Sequence, residues 1–116
     1  MLAPCDGWLE VGVLVKDPSG AAISDVHVAV LDHPGETDTN GCVKIEGMFH
    51  PASIFRDPDV TLSAERTGYK PLHAHRRLGL YRIDVTLRPA DSAQPSSAVW
   101  TTVASDELLD CTGDAP

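Results

Sequence analysis

The residues best placed to do chemistry are His73 and His75, which have a single residue between them. On a β-strand, residues two apart point to the same face, so both imidazoles would reach one metal ion. Asp84, on the segment that follows, is the candidate for a third ligand. An ion pair explains the same residues, because a hairpin turning near Gly79 places His75 opposite Asp84. Metal ligation and a cross-strand ion pair are therefore both open.

The same segment carries most of the basic charge of the chain. Six of the nine Lys and Arg residues lie between Arg66 and Arg88, where Asp84 is the single acid. The whole chain has 17 Asp and Glu residues and a formal net charge of −8. Clustered cations attract an anionic partner, and the alternative is that the acidic tail neutralises them. The candidate ligand face consists of His73, His75, Arg77 and Arg82.

No pattern typical of a nucleophilic enzyme accompanies these residues. The sequence has no Gly-x-Ser-x-Gly elbow, and Asp38-Thr39-Asn40-Gly41 lacks the further ligands of a calcium loop and is typical of a turn. The acidic balance argues against nucleic-acid binding, and no stretch approaches the roughly 18 apolar residues of a membrane span. We therefore expect a protein that is not an enzyme and needs no cofactor. The alternative is a metal-dependent hydrolase that uses His73 and His75.

The three cysteines form an odd set. Cys42 begins a predicted strand and Cys111 lies in the acidic tail, so a disulfide between them would tie the tail to the domain and leave Cys5 over. The segment Leu2-Ala3-Pro4-Cys5 loosely resembles the end of a lipoprotein signal, in which such a cysteine carries the lipid. These features favour an exported, envelope-displayed protein with Cys5 as the lipid attachment. Three reduced thiols in a cytoplasmic protein are the alternative.

The elements that must position these residues are β-strands. Apolar and polar residues alternate along much of the chain, and turn residues recur about every ten positions. This pattern predicts an all-β sandwich of about seven strands, with a hairpin-type turn at Asp17-Pro18-Ser19-Gly20, turns at Asp32-His33-Pro34-Gly35 and Asp38-Thr39-Asn40-Gly41, and a long loop over 47–59. A further strand near 37–39 stays open. The residues predicted to face inward are Val11, Val13, Val15, Val26, Val28, Val30, Ile45, Leu62, Ile83, Val85 and Leu87.

The composition changes after Pro89. Residues 90–116 contain no Lys or Arg and are rich in Ala, Ser, Asp and Pro, as in a tail. Within them, residues 98–103 have strand propensity and include a tryptophan. We predict a sandwich domain over residues 1–89 and an acidic tail over 90–116, with an added strand near 98–103.

The order of these turns and strands resembles a known family. Over residues 9–88 it is similar to the carboxypeptidase regulatory-like domain, a transthyretin-like, Ig-like β-sandwich. The resemblance implies a non-catalytic module that accompanies enzymes, receptors or surface proteins, with no catalytic residue to carry over. Asp25 departs from the pattern, since the family commonly has a small residue there. The motifs, in order, are Gly12-x-Leu14-Val15-x-Asp17-x-Ser19-Gly20, Ile23-x-Asp25-Val26-x-Val28, Thr37-Asp38-Thr39-Asn40-Gly41, Gly68-Tyr69-Lys70 and Val85-x-Leu87.

The sequence thus indicates a non-catalytic binding or adaptor domain whose partner is a protein or an anionic polymer. A structural subunit of a larger assembly, with its tail packed on a neighbour, is the competing interpretation. The sequence indicates neither the ligand nor the oligomeric state.

Overall fold

The computed structural model describes residues 7–31, 33–49, 59–77, 81–103 and 111. Its regular elements in these ranges are strands, and they form two sheets that pack as a sandwich. Sheet A has the strand order β4-β1-β7-β8 and sheet B the order β3-β2-β5-β6. The all-β prediction is confirmed, with eight strands where about seven were expected. They are β1 (Gly7–Lys16), β2 (His27–Val30), β3 (His33–Glu36), β4 (Cys42–Phe49), β5 (Asp59–Glu65), β6 (Leu72–Arg77), β7 (Tyr81–Thr86) and β8 (Ser97–Thr102).

The core lies between the two sheets and is rich in valine. All eleven residues predicted to face inward are buried, and the most exposed of them, Ile45, is only 3% exposed. Successive side chains of a strand point to opposite faces, so their neighbours, such as the exposed Lys44, lie on the outside. The register of these strands relative to the core is therefore as the alternation predicts.

The first two strands do not form a hairpin. β1 pairs with β4 and β7 in sheet A, whereas β2 pairs with β3 and β5 in sheet B. The predicted turn is present, with Gly20 at a φ of 93°, but it carries the chain from one sheet to the other. Alternation specifies which face of a strand is buried and leaves its partner open, so the pattern alone favoured the wrong connection.

The hairpin predicted near Gly79 is also wrong. β6 pairs with β5, and β7 pairs with β1 and β8, so β6 and β7 belong to different sheets. His75 lies opposite Thr61, and Asp84 lies opposite Val99. Residues 78–80, which connect β6 to β7, lie outside the described residues. The connection nevertheless has to pass from one sheet to the other.

The turn predicted at Asp32-His33-Pro34-Gly35 overlaps the edge strand β3, and 37–39 do not form a strand. The N–H of Thr37 donates to the carbonyl of Val26 at 3.1 Å, so alternate residues of β3 face β2 and Pro34 faces the open edge. A proline is tolerated there because its missing N–H would have pointed to solvent. A Cβ on Gly35 would lie 2.8 Å from a methyl group of Val43, so β3 and β4 approach closely.

β8 occupies the part of the tail for which the sequence predicts an added strand. It pairs antiparallel with β7 and closes one edge of sheet A. The acidic residues beyond 103, Cys5 and residues 50–58 of the predicted loop lie outside the described residues. The loop is shorter than predicted, because residues 47–49 belong to β4 and residue 59 begins β5. No helix in the described part is long and apolar enough to cross a membrane.

Candidate ligand-binding face

The imidazole pair lies on β6, at one edge of sheet B. Leu72 is buried and Ala74 is half-buried on the core side of this strand. The alternate residues His73, His75 and Arg77 are exposed and point to the outer face. Three of the four residues of the predicted ligand face therefore lie side by side along one edge.

The structure separates Arg82 and Asp84 from this row. Both lie on β7 in sheet A, on either side of the fully buried Ile83, so they point away from the core. Arg82 Nη2 lies 3.2 Å from Asp84 Oδ1, and the two side chains form an ion pair with each other. Arg82 therefore does not belong to the ligand face, and Asp84 pairs with Arg82 and not with His75.

The same separation removes the predicted metal site. Asp84 cannot be a third ligand beside His73 and His75, because it lies on the other sheet. Within the described ranges, no three or more His, Cys, Asp and Glu side chains are grouped so as to hold a metal ion. Of the three predicted ligands, only His73 and His75 lie together, as exposed imidazoles on an edge strand.

A groove runs along the outer face of sheet B beside the imidazoles. It has a volume of about 470 Å³, and its lining includes His73 and His75 on one side and Ala29, Thr61 and Ser63 along the floor. A second groove of about 610 Å³ continues across Ala29 and Ser63 toward β3. The floor is low because these three side chains are small. Alternation in β2 and β5 identifies them as outward-facing residues, but sequence reasoning did not single them out.

Charge is divided along this face. At the β3 side, His27 Nδ1 lies 2.9 Å from Glu36 Oε2, and Glu65 is the cross-strand neighbour of His27 on its other side. At the β6 side, the cross-strand neighbours of His73 and His75 are the uncharged Ser63 and Thr61. Arg77 lies opposite Asp59. The face is thus acidic around His27 and has no acid directly opposite the paired imidazoles.

Leu31 lines the groove with an uncommon backbone conformation. Its φ of 54° lies in the left-handed region, where a bulky residue is an outlier. Its N–H donates to the carbonyl of Thr61 at 2.9 Å, and its side chain is half-buried and lines the same groove as His75. Left-handed backbone costs a residue such as leucine roughly 1–2 kcal/mol. Strain of this kind clusters at binding sites, and here it lies at the groove.

Two aspartates hold turns and not a ligand. The hydroxyl of Ser19, 2.6 Å from the Asp17 carboxylate, and then the N–H of Ala21 keep the pKa of Asp17 below its ordinary value. Asp38 Oδ1 accepts hydrogen bonds from the N–H groups of Asn40 and Cys42 at 2.8 and 3.0 Å. The turn interpretation of Asp38-Thr39-Asn40-Gly41 is therefore confirmed.

A disulfide joins Cys42, at the start of β4, to Cys111. The two Cα atoms are 5.6 Å apart, and the bridge spans a sequence separation of 69. β4 lies at the opposite edge of sheet A from β8, so the chain after β8 returns to the far side of the sheet. The bridge therefore links the end of the chain to the domain. Cys5, the predicted lipid attachment, lies outside the described residues.

No family model and no curated protein matches the chain.

Proposed function

We propose that this protein is a non-catalytic binding or adaptor module that holds an anionic partner on the β6 side of the outer face of sheet B. One observation carries the proposal. The exposed side chains of His73, His75 and Arg77 form a row along an edge strand, beside a groove floored by small residues.

Electrostatics favours an anion at this row over the rest of the molecule. The chain has a net charge of −8, yet no acidic residue lies directly opposite the two imidazoles. A single exposed ion pair contributes only about 0–1 kcal/mol. Binding at this face therefore needs several contacts at once, which the two imidazoles and the groove that they line provide.

The resemblance to carboxypeptidase regulatory-like domains also supports a module of this kind. Two packed β-sheets agree with the fold that the resemblance implies. The bridge between Cys42 and Cys111 supports an exported protein, because disulfides persist in oxidising compartments. Display on a cell envelope, with Cys5 as the lipid attachment, therefore belongs to the proposal.

The other two functions receive less support. A structural subunit whose tail packs on a neighbour fits poorly with Cys111, which is bonded to Cys42 of its own chain. A metal-dependent hydrolase needs a third ligand near His73 and His75, and Asp84 lies on the other sheet.

Poly-L-glutamate is the probe that tests the proposed function. We expect the full chain to bind it at low salt, because the arginines of β6 attract anions and the two imidazoles donate hydrogen bonds to carboxylates. The residues directly opposite His73 and His75 on β5 are the uncharged Ser63 and Thr61, whereas Asp59 lies opposite the next outward residue, Arg77. The attraction should weaken as the salt concentration rises.

A matched control comes from the third histidine on the same face. Replacement of both His73 and His75 by Ala should weaken binding several-fold, whereas His27→Ala should leave it unchanged, because His27 is already paired with Glu36. Titration followed by fluorescence anisotropy measures both. Absence of binding at low salt, or equal losses in the two variants, would contradict the proposed function.

A further inference from the structure

Among the described strands, β6 has a neighbour on one side only, β5, and the hydrogen bonds of sheet B show which of its residues face the other side. The carbonyl of Thr61 accepts a hydrogen bond of 2.9 Å from the N–H of Leu31, the residue that follows β2. The backbone groups of Thr61 therefore point toward β2. Successive residues direct these groups to opposite sides, so Leu62 faces β6 and its partner Ala74 faces β5. His73 and His75, which flank Ala74, therefore direct their N–H and C=O groups away from the sheet.

An independent contact supports this assignment. Arg77 lies two residues after His75, so the backbone groups of both residues point to the same side of β6. The carbonyl of Arg77 accepts a hydrogen bond of 2.8 Å from the Tyr81 hydroxyl and therefore points away from β5. No hydrogen bond from another described residue reaches the outward backbone groups of His73 or His75. The edge thus presents two N–H donors and two C=O acceptors, and the same two residues carry the exposed imidazoles.

We propose that the anionic partner is an extended acidic peptide that adds to sheet B as a fifth strand, antiparallel to β6. This inference rests on the proposed function and specifies its partner and its mode of binding. Every strand pair of sheet B is antiparallel, and antiparallel pairing is slightly more stable per residue than parallel pairing. In strand addition, the backbone bonds supply affinity and alternate side chains supply specificity.

The register of the added strand defines the sequence it prefers. Residues directly opposite each other in an antiparallel pair lie on the same face. The peptide residues opposite His73 and His75 therefore place their side chains beside the two imidazoles, and acidic residues at alternate positions match them. A second copy of this chain fits less well, because β6 paired antiparallel with β6 sets imidazoles opposite imidazoles and β6 has no acidic residue to match them.

A peptide of alternating Glu and Thr tests this inference on the full chain. In the proposed register the Glu residues direct their N–H groups at β6, and the Thr residues direct theirs away. N-methylation of the two Glu residues nearest the centre of the peptide removes two backbone hydrogen bonds to β6. This change should weaken binding of the peptide roughly tenfold or more. N-methylation of the same number of Thr positions should leave affinity unchanged.

The protein supplies a second arm of the experiment. His75→Pro removes an N–H that faces the open edge and leaves the pairing of β6 with β5 intact, and edge strands tolerate proline at such positions. His75→Ala removes the imidazole and keeps the N–H. We expect the Pro variant to bind the unmethylated peptide more weakly than the Ala variant, with circular dichroism to check that both are folded.

The outcomes separate the two proposals. Binding that depends on His73 and His75 but not on peptide methylation would overturn strand addition and leave the proposed function standing. Loss only on methylation of the Thr positions would overturn the antiparallel register. If no acidic peptide binds at low salt, both proposals fail together. Should the Pro variant not fold, the methylated peptides still decide the question.

Discussion

β6 and β8 are edge strands of different sheets on the same side of the sandwich, and their compositions are opposite. β6 is Leu-His-Ala-His-Arg-Arg, whereas β8 is Ser-Ala-Val-Trp-Thr-Thr and has no charged residue. The segments that precede them are joined by a hydrogen bond of 2.9 Å from the Ser96 hydroxyl to the Lys70 carbonyl. Two adjacent open edges are therefore built from different kinds of residue.

The two strands also differ in the kind of residue that directs its backbone groups to the open edge. The N–H of Leu87 donates to a β1 carbonyl at 2.9 Å, so alternate residues of β7 face β1 and the others face β8. This pattern directs the backbone groups of Ala98 and Trp100 to the open edge of β8, while their side chains are half-buried against the core. In β6 the residues at the open edge have exposed side chains. One edge can therefore recognise a partner, and the other closes the core.

Sheet edges are usually blocked against unwanted pairing by charge or proline. β3 has Pro34 at its open edge, β4 has Lys44 and Glu46, and β6 has two arginines. β8 has neither a charge nor a proline, and its Val99 is 63% exposed. Of these edges, β8 is the least protected against pairing with another copy.

The largest expected difference between β6 and β8 follows removal of the disulfide between Cys42 and Cys111. Cys111→Ser should destabilise the protein by about 4 kcal/mol, the loop-closure value for a separation of 69. Because Cys111 follows β8 along the chain, amide exchange should accelerate more in β8 than in β6. Denaturant unfolding and hydrogen exchange measure the two effects. Cys5→Ser is the control, and equal acceleration in both strands would contradict a special dependence of β8 on the bridge.

A second test compares neighbouring residues of β8. Trp100 makes an edge-to-face contact with Tyr81, with ring centroids 5.1 Å apart. Trp100→Ala should cost about 2–3 kcal/mol, less than for a fully buried tryptophan because the side chain is half-buried. Val99→Ala should change stability by no more than about 0.5 kcal/mol, since its side chain is exposed. Thermal unfolding of both variants gives the comparison, and similar losses would place Val99 against the core.

The sequence correctly predicts which face of each strand is buried, but it does not predict which strands pair with each other. The period of two placed all eleven core residues and put His73 and His75 on one side of their strand, because alternation depends only on the local backbone. It could not show that β6 and β7 join different sheets, because pairing depends on residues far apart in the chain. Arg82 was therefore assigned to the wrong face. Pro34 and Gly35, which are typical of turns, also suit an edge strand that packs closely on β4.

The smallest expected effect concerns self-association through β8. An uncharged edge with open backbone groups pairs weakly with another copy, so the protein should show concentration-dependent mass in sedimentation at moderate salt, which screens the repulsion between two chains of net charge −8. Val99→Lys should reduce that association without loss of stability, because the side chain points outward on an edge strand. The same substitution at an outward position of β6, His75→Lys, should leave the mass unchanged. A decrease of similar size in both variants would mean that the two edges contribute alike, and the contrast between them would not hold.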